Sequence, residues 1–61
     1  MEWMYDIMLN DKVVGTSGDL TFETYGDALA DAHDYILSIL EKEYEAKAYE
    51  FKVNVYEGRV Q

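Results

Sequence analysis

The residues of this chain best suited to chemistry are carboxylates, and six of them lie along one predicted edge: Glu23, Asp27, Asp31, Asp34, Glu41 and Glu45. At ~100° per residue the last five, with Ser38 filling the gap, fall in a helical band roughly 80° wide. Within it carboxylates recur about once per turn, ~5–6 Å apart. No lysine or arginine falls on that edge. Like charges at i,i+4 cost an isolated helix about 0.2–0.5 kcal/mol per pair. A helix needing only solubility would mix in bases, so an unmixed edge reads as a surface selected for its field. The chemistry on offer is ion pairing. The spacing is close to that of phosphates along a nucleic-acid strand, and a basic groove built for DNA or RNA would accept it through Arg and Lys. A plain solvated face is the competing explanation.

Other chemistry finds little support. His33 is the only histidine and there is no cysteine, so neither a nucleophile–base pair nor a structural zinc set can be assembled. His33 reads as a flank residue beside the core. The paired acids lie on an exposed edge, without the cleft that raises a carboxyl pKa for acid–base catalysis. Asp27 and Asp31 lack the alternating oxygen ligands of a calcium loop, and Gly15-Thr16-Ser17-Gly18 lacks the lysine and spacing of a phosphate loop. No enzyme activity, catalytic residue, metal site or cofactor is expected.

The formal net charge is −8 and the charge is uneven. Residues 1–34 hold eight acids against Lys12, a net of −7; residues 35–61 hold five acids against Lys42, Lys47, Lys52 and Arg59, a net of −1. This field repels nucleic acid and anionic membranes and speeds approach to basic surfaces. It also opposes self-contact, so a monomer is expected, with a homodimer as the alternative. Residues 1–8 carry Glu2 and Asp6 instead of a basic n-region. No run nears the ~20 apolar residues of a membrane span. The expected location is the cytoplasm, a host's cytoplasm for a viral protein.

Sixty-one residues, 49% of them hydrophobic, make one small domain, 1–61. Residues 2–9 alternate, with Trp3, Tyr5, Ile7 and Leu9 on one face and Glu2, Met4, Asp6 and Met8 on the other. That period of two predicts a half-buried strand. Asn10-Asp11 is a hairpin turn, and 12–16 is the second strand, with Ile7 opposite Val14 and Met8 opposite Val13. Thr24-x-x-Asp27 resembles a capping box, with Phe22 as its staple. A helix follows over 25–45, its apolar face made by Tyr25, Leu29, Ala32, Ile36, Ile39 and Leu40 and widened by His33, Leu37 and Tyr44. Residues 49–56 form the third strand with Tyr49, Phe51, Val53 and Val55 inward, and 58–61 is a tail. The predicted fold is α+β, ββαβ, with a three-stranded antiparallel sheet of order 2-1-3 and one helix on one face. The predicted core is Trp3, Tyr5, Ile7, Val14, Leu29, Ala32, Ile36, Ile39, Phe51, Val53 and Val55. The other sheet face stays open, and Met4, Met8, Val13 and Tyr56 give it a modest apolar patch, a second candidate interface.

Gly15-Thr16-Ser17-Gly18-Asp19, followed by Thr24 and Ala28-Leu29-Ala30-Asp31-Ala32, resembles the N-terminal domain of HicB-type antitoxins, where a glycine-aspartate turn precedes a helix with a small-residue face. The chain departs from that family by lacking an early strand and the C-terminal DNA-binding segment, so a complete antitoxin-repressor is not expected. In size, charge and character it resembles the small acidic phage inhibitors of host nucleic-acid enzymes, the anti-CRISPR and antirestriction proteins. That resemblance implies a DNA-mimic inhibitor whose partner is a larger basic, nucleic-acid-binding protein. The alternative is an antitoxin-like or sheet-mediated assembly domain.

Overall fold

Strict alternation from Glu2 to Leu9 makes β1 (Glu2–Leu9) the central strand, and the rest of the fold is arranged around it. In a computed structural model that describes residues 2–58, β2 (Lys12–Thr16) and β3 (Lys52–Gly58) both pair antiparallel with β1, giving the sheet order β2-β1-β3. The expected α+β architecture, one helix on a three-stranded sheet, is the one observed. Asn10 and Asp11 both take positive φ (52° and 65°), the geometry a two-residue hairpin needs to match strand twist. Residues 59–61, most of the expected tail, lie outside the described residues; Gly58 belongs to β3.

Two expected strand details change. Met8 does face Val13, but Ile7 faces Gly15 instead of Val14, because the register shifts between Ile7 and Met8. Val14 is the extra residue of a β-bulge. The bulge brings Gly15 under the helix, where a Cβ would stand 3.3 Å from the Tyr35 ring and 3.4 Å from Leu40. The third strand starts later than alternation suggests. Ala48–Glu50 forms a 3-10 turn closed by the Phe51 N–H on the Ala48 carbonyl, so period two does not extend back to Tyr49. Tyr49 is 86% exposed instead of inward, and Phe51 is the first buried residue of the return.

Beyond β2 the chain returns to β1 twice more. Ser17 is buried; its N–H donates to the Tyr5 carbonyl and its hydroxyl accepts from the Tyr5 N–H. Phe22 exchanges both backbone hydrogen bonds with Trp3 (2.8 and 3.0 Å) and stacks its ring on Tyr5. The expected staple residue is thus a one-residue extension of the sheet. Thr24 caps the helix as expected, accepting from the Asp27 N–H.

The helical rod 25–44 is not one α-helix. It comprises α1 (Tyr25–Tyr35), a π-helical turn (Ile36–Leu40) and α2 (Glu41–Tyr44). In the π turn the Glu41 N–H bonds to the Ile36 carbonyl, five residues back. One residue more than an α-helix requires is absorbed, and everything beyond it is turned by roughly 100° relative to an unbroken helix. Leu40 therefore takes the bearing that regular spacing assigns to Ile39. Leu40 is fully buried and Ile39 is 52% exposed, which corrects the predicted core. The buried helix residues are Ala28, Ala32, Ile36 and Leu40, four apart throughout. They close on Tyr5, Ile7 and Phe51, with Trp3, Val14, Val53 and Val55 packed around them. Leu29 is half-buried, and Tyr25, His33, Leu37 and Tyr44 are exposed, so the apolar face is narrower than expected. Glu45 ends the rod in the left-handed region (φ 51°), where the Ala46 N–H reaches the Glu41 carbonyl.

Candidate interaction surfaces

The helix lies over β1, and its two flanks overhang the two outer strands with different chemistry. On the β2 side, Asp31, Asp34 and Ser38 face Thr16, Ser17 and Leu20 across an open groove of about 260 Å³. On the β3 side, Ile36 and Leu37 face Tyr49, Phe51 and Val53 across a more enclosed groove of about 320 Å³, with His33 at its margin.

The acidic flank is built by α1. Capping by Thr24 fixes the first turn, and Asp27 in that turn is favoured by the helix dipole. Glu23, Asp27 and Asp34 are exposed; Asp31 is half-buried. Asp31 has a specific structural partner, since the Tyr5 hydroxyl donates to its Oδ2 at 2.7 Å. Burial, that hydrogen bond and the charge of the same carboxylate together push the Tyr5 phenol well above its ordinary pKa, so it remains a neutral donor. The Ser38 hydroxyl is spent on the Asp34 carbonyl.

The π turn divides the predicted six-acid edge. Glu41 lies beyond it, and its carboxylate accepts from the Ala48 N–H at 2.7 Å, which ties the end of the rod to the 3-10 turn before β3. Glu45 occupies the left-handed cap. These two acids leave the edge; Asp27, Asp31 and Asp34 remain on α1, with Glu23 just ahead of its cap. Between Lys12 and Lys42 the sequence has six acids, adding Asp19 and Glu41 to those four, and no lysine or arginine.

The open sheet face carries Met4, Met8, Val13 and Tyr56, as alternation requires. Met4 neighbours Tyr56, and Met8 neighbours Val13 and Lys52. Met4 also lies across Gly58, where a Cβ would come within 2.6 Å of its sulfur. The patch is not continuous. Asp6, paired with Thr16 on one side and Asn54 on the other, puts a polar row between its halves.

Sequence reasoning missed the β3-side groove. Its apolar wall needs Leu37 and Tyr49 outside the core, and regular periodicity assigns both to the inside. Among the described residues no group of three or more His, Cys, Asp or Glu is placed to hold a metal, and no helix is long and apolar enough to cross a membrane. No protein-family model matches the chain, and neither a curated protein nor a solved structure matches it.

Proposed function

We propose that this chain is a non-catalytic acidic interaction domain that inhibits a larger protein by occupying its basic nucleic-acid-binding site. The acidic flank of α1 serves as the phosphate mimic. The observation that carries this reading is the exposure of Glu23, Asp27 and Asp34 on a stretch without a single Lys or Arg. Such a flank pairs readily with Arg and Lys, and its field adds to that of a chain at −8. Asp31 contributes charge but is engaged by Tyr5, so the mimic rests first on the three exposed acids.

The test begins with partners captured from lysate by the intact protein. Affinity for the partner should fall steeply as salt rises, since exposed pairs are screened over ~10 Å at 0.1 M. The variant Glu23→Gln/Asp27→Asn/Asp34→Asn should lose binding while keeping its fold, and the partner's nucleic acid should compete with the wild type. A ternary complex with nucleic acid still in its groove would sink the mimicry. The assembly reading, antitoxin-like or sheet-mediated, has its own observation in the Met4–Tyr56 and Met8–Val13 pairs on the open face. It forecasts the reverse ranking: Met4→Ser/Met8→Ser abolishes binding and the acid variant does not.

A further inference from the structure

We propose that two copies of this chain associate through the outer edge of β3, joining their sheets into one six-stranded antiparallel sheet. Three observations converge on that edge, and none of them depends on the inhibitor reading.

The first is backbone. β1 is paired on both sides, so among the described residues the outer edges of β2 and β3 are the open ones. β2 has five residues and a bulge, features that blunt an edge. β3 has seven residues, pairs with β1 in unbroken register and contains no proline. Its outward N–H and C=O groups form a regular template for another strand.

The second is apolar surface beside that edge. Val53 and Val55 point to the helix side yet are only half-buried, and among the described residues no further strand pairs beyond them. Leu37 (56% exposed) and Tyr49 continue the apolar surface over the groove.

The third is charge, and it selects a second copy as the occupant. Residues 2–45 hold eleven acids against Lys12 and Lys42, a net of −9. Residues 46–58 hold Lys47 and Lys52 against Glu50 and Glu57, a net of zero. Two copies of so acidic a chain repel each other at most approaches, and the β3 edge is where that repulsion is least. A basic partner is drawn instead to the acidic flank on the opposite side of the helix.

Symmetry fixes the arrangement. A two-fold axis normal to the sheet pairs residues whose numbers sum to an even total, so helix-side residues meet helix-side residues and both helices lie on one face. With the axis at Asn54, Val53 of each copy faces Val55 of the other, and Lys52 faces Tyr56 on the open side. Moving the axis to Val55 sets Val53 against Glu57, which places a carboxylate in the apolar strip. Of these two registers the side chains favour the one centred on Asn54. The acidic flanks then stand at the two outer ends of the assembly.

The experiment is sedimentation equilibrium of the full chain over a micromolar-to-millimolar series, with circular dichroism to verify folding. Leu37→Lys/Tyr49→Lys is compared with Leu20→Lys/Ile39→Lys on the acidic side. All four positions are exposed, and both variants shift the net charge equally. The wild type and the Leu20/Ile39 variant should dimerise, and the Leu37/Tyr49 variant should bind itself at least about tenfold more weakly. Amide exchange of the wild type should show protection of the outward β3 amides on dimerisation and none along β2. A wild type that stays monomeric to millimolar concentration overturns the proposal. So does a dimer that survives Leu37→Lys/Tyr49→Lys, or one that protects β2 instead of β3.

Discussion

The two flanks of the helix are built from the same rod yet share little. The β2 flank is acidic, is pinned to the sheet by the Tyr5–Asp31 hydrogen bond and overlies a short bulged strand. The β3 flank is apolar, is tied down by Glu41 on the Ala48 amide and overlies a long regular edge. Part of the difference arises at the π turn. The π turn sends Ile39 outward on the acidic side, seats Leu40 in the core and carries Glu41 away from the other acids. The charged flank itself is set earlier, by Asp27, Asp31 and Asp34 of α1; the surplus residue keeps Glu41 from joining it.

The largest effect that would break this comparison is in the core. Leu40→Ala should cost roughly 2–5 kcal/mol, while Ile39→Ala, half in solvent, should cost well under about 1 kcal/mol. Thermal unfolding of the pair reads this directly. Equal losses, or the reverse order, would mean that the rod is an ordinary α-helix and the six acids form one edge after all.

Next is the pin on the acidic flank. Tyr5→Phe removes a buried donor and should cost about 1 kcal/mol at neutral pH. It should also change the alkaline limb. In the native state the Tyr5 phenol titrates above its ordinary value of 10.0, so above that pH the unfolded chain binds fewer protons than the native one. The phenol's contribution is complete below about pH 10 and declines as pH rises further, by up to ~1.4 kcal/mol per pH unit. Denaturation between neutral pH and pH 11 should show a shallower decline in the Phe variant, and identical slopes would place the phenol in water.

A comparable but opposite effect is expected at the cap. Glu45 adopts a left-handed conformation that costs a side-chain-bearing residue about 1–2 kcal/mol. Glu45→Gly should therefore stabilise the fold by about 1 kcal/mol, seen as a higher denaturant midpoint. Loss of stability there would mean that the Glu45 carboxylate holds a contact worth more than the strain. The smallest change should come from Glu23→Gln/Asp27→Asn/Asp34→Asn, within about 0.5 kcal/mol in stability, because relieved repulsion offsets the lost dipole interaction of Asp27. Unlike the other variants, it should act on partner binding with little effect on the fold.

The fold was legible because three periods agreed. Alternation in β1, alternation from Phe51 to Val55 and the helical apolar face through Ala32 and Ile36 each point to the same layer. The Asn10-Asp11 turn and the Thr24 cap could be read from residue type alone. The errors came wherever a local insertion broke a period. The bulge at Val14 moved Ile7's partner by one residue, the 3-10 turn freed Tyr49, and the π turn exchanged Ile39 for Leu40. Hydrophobic spacing does not encode such insertions in advance, since Leu-Ser-Ile-Leu is compatible with either helical geometry. The candidate site suffered for the same reason: Glu41 and Glu45 keep the spacing of the edge in sequence but not its direction in space.

Because the π turn already contains one residue beyond what the hydrogen-bond ladder requires, the rod has slack in its length. Deleting Ser38 would let the turn relax to α geometry, with Ile39 moving to the bearing Ser38 now occupies and Leu40 keeping its seat over Gly15. In an ordinary helix a one-residue deletion rotates every later side chain off the core. Here the reading frame of the buried face survives it, and the shortened chain should fold as the same domain.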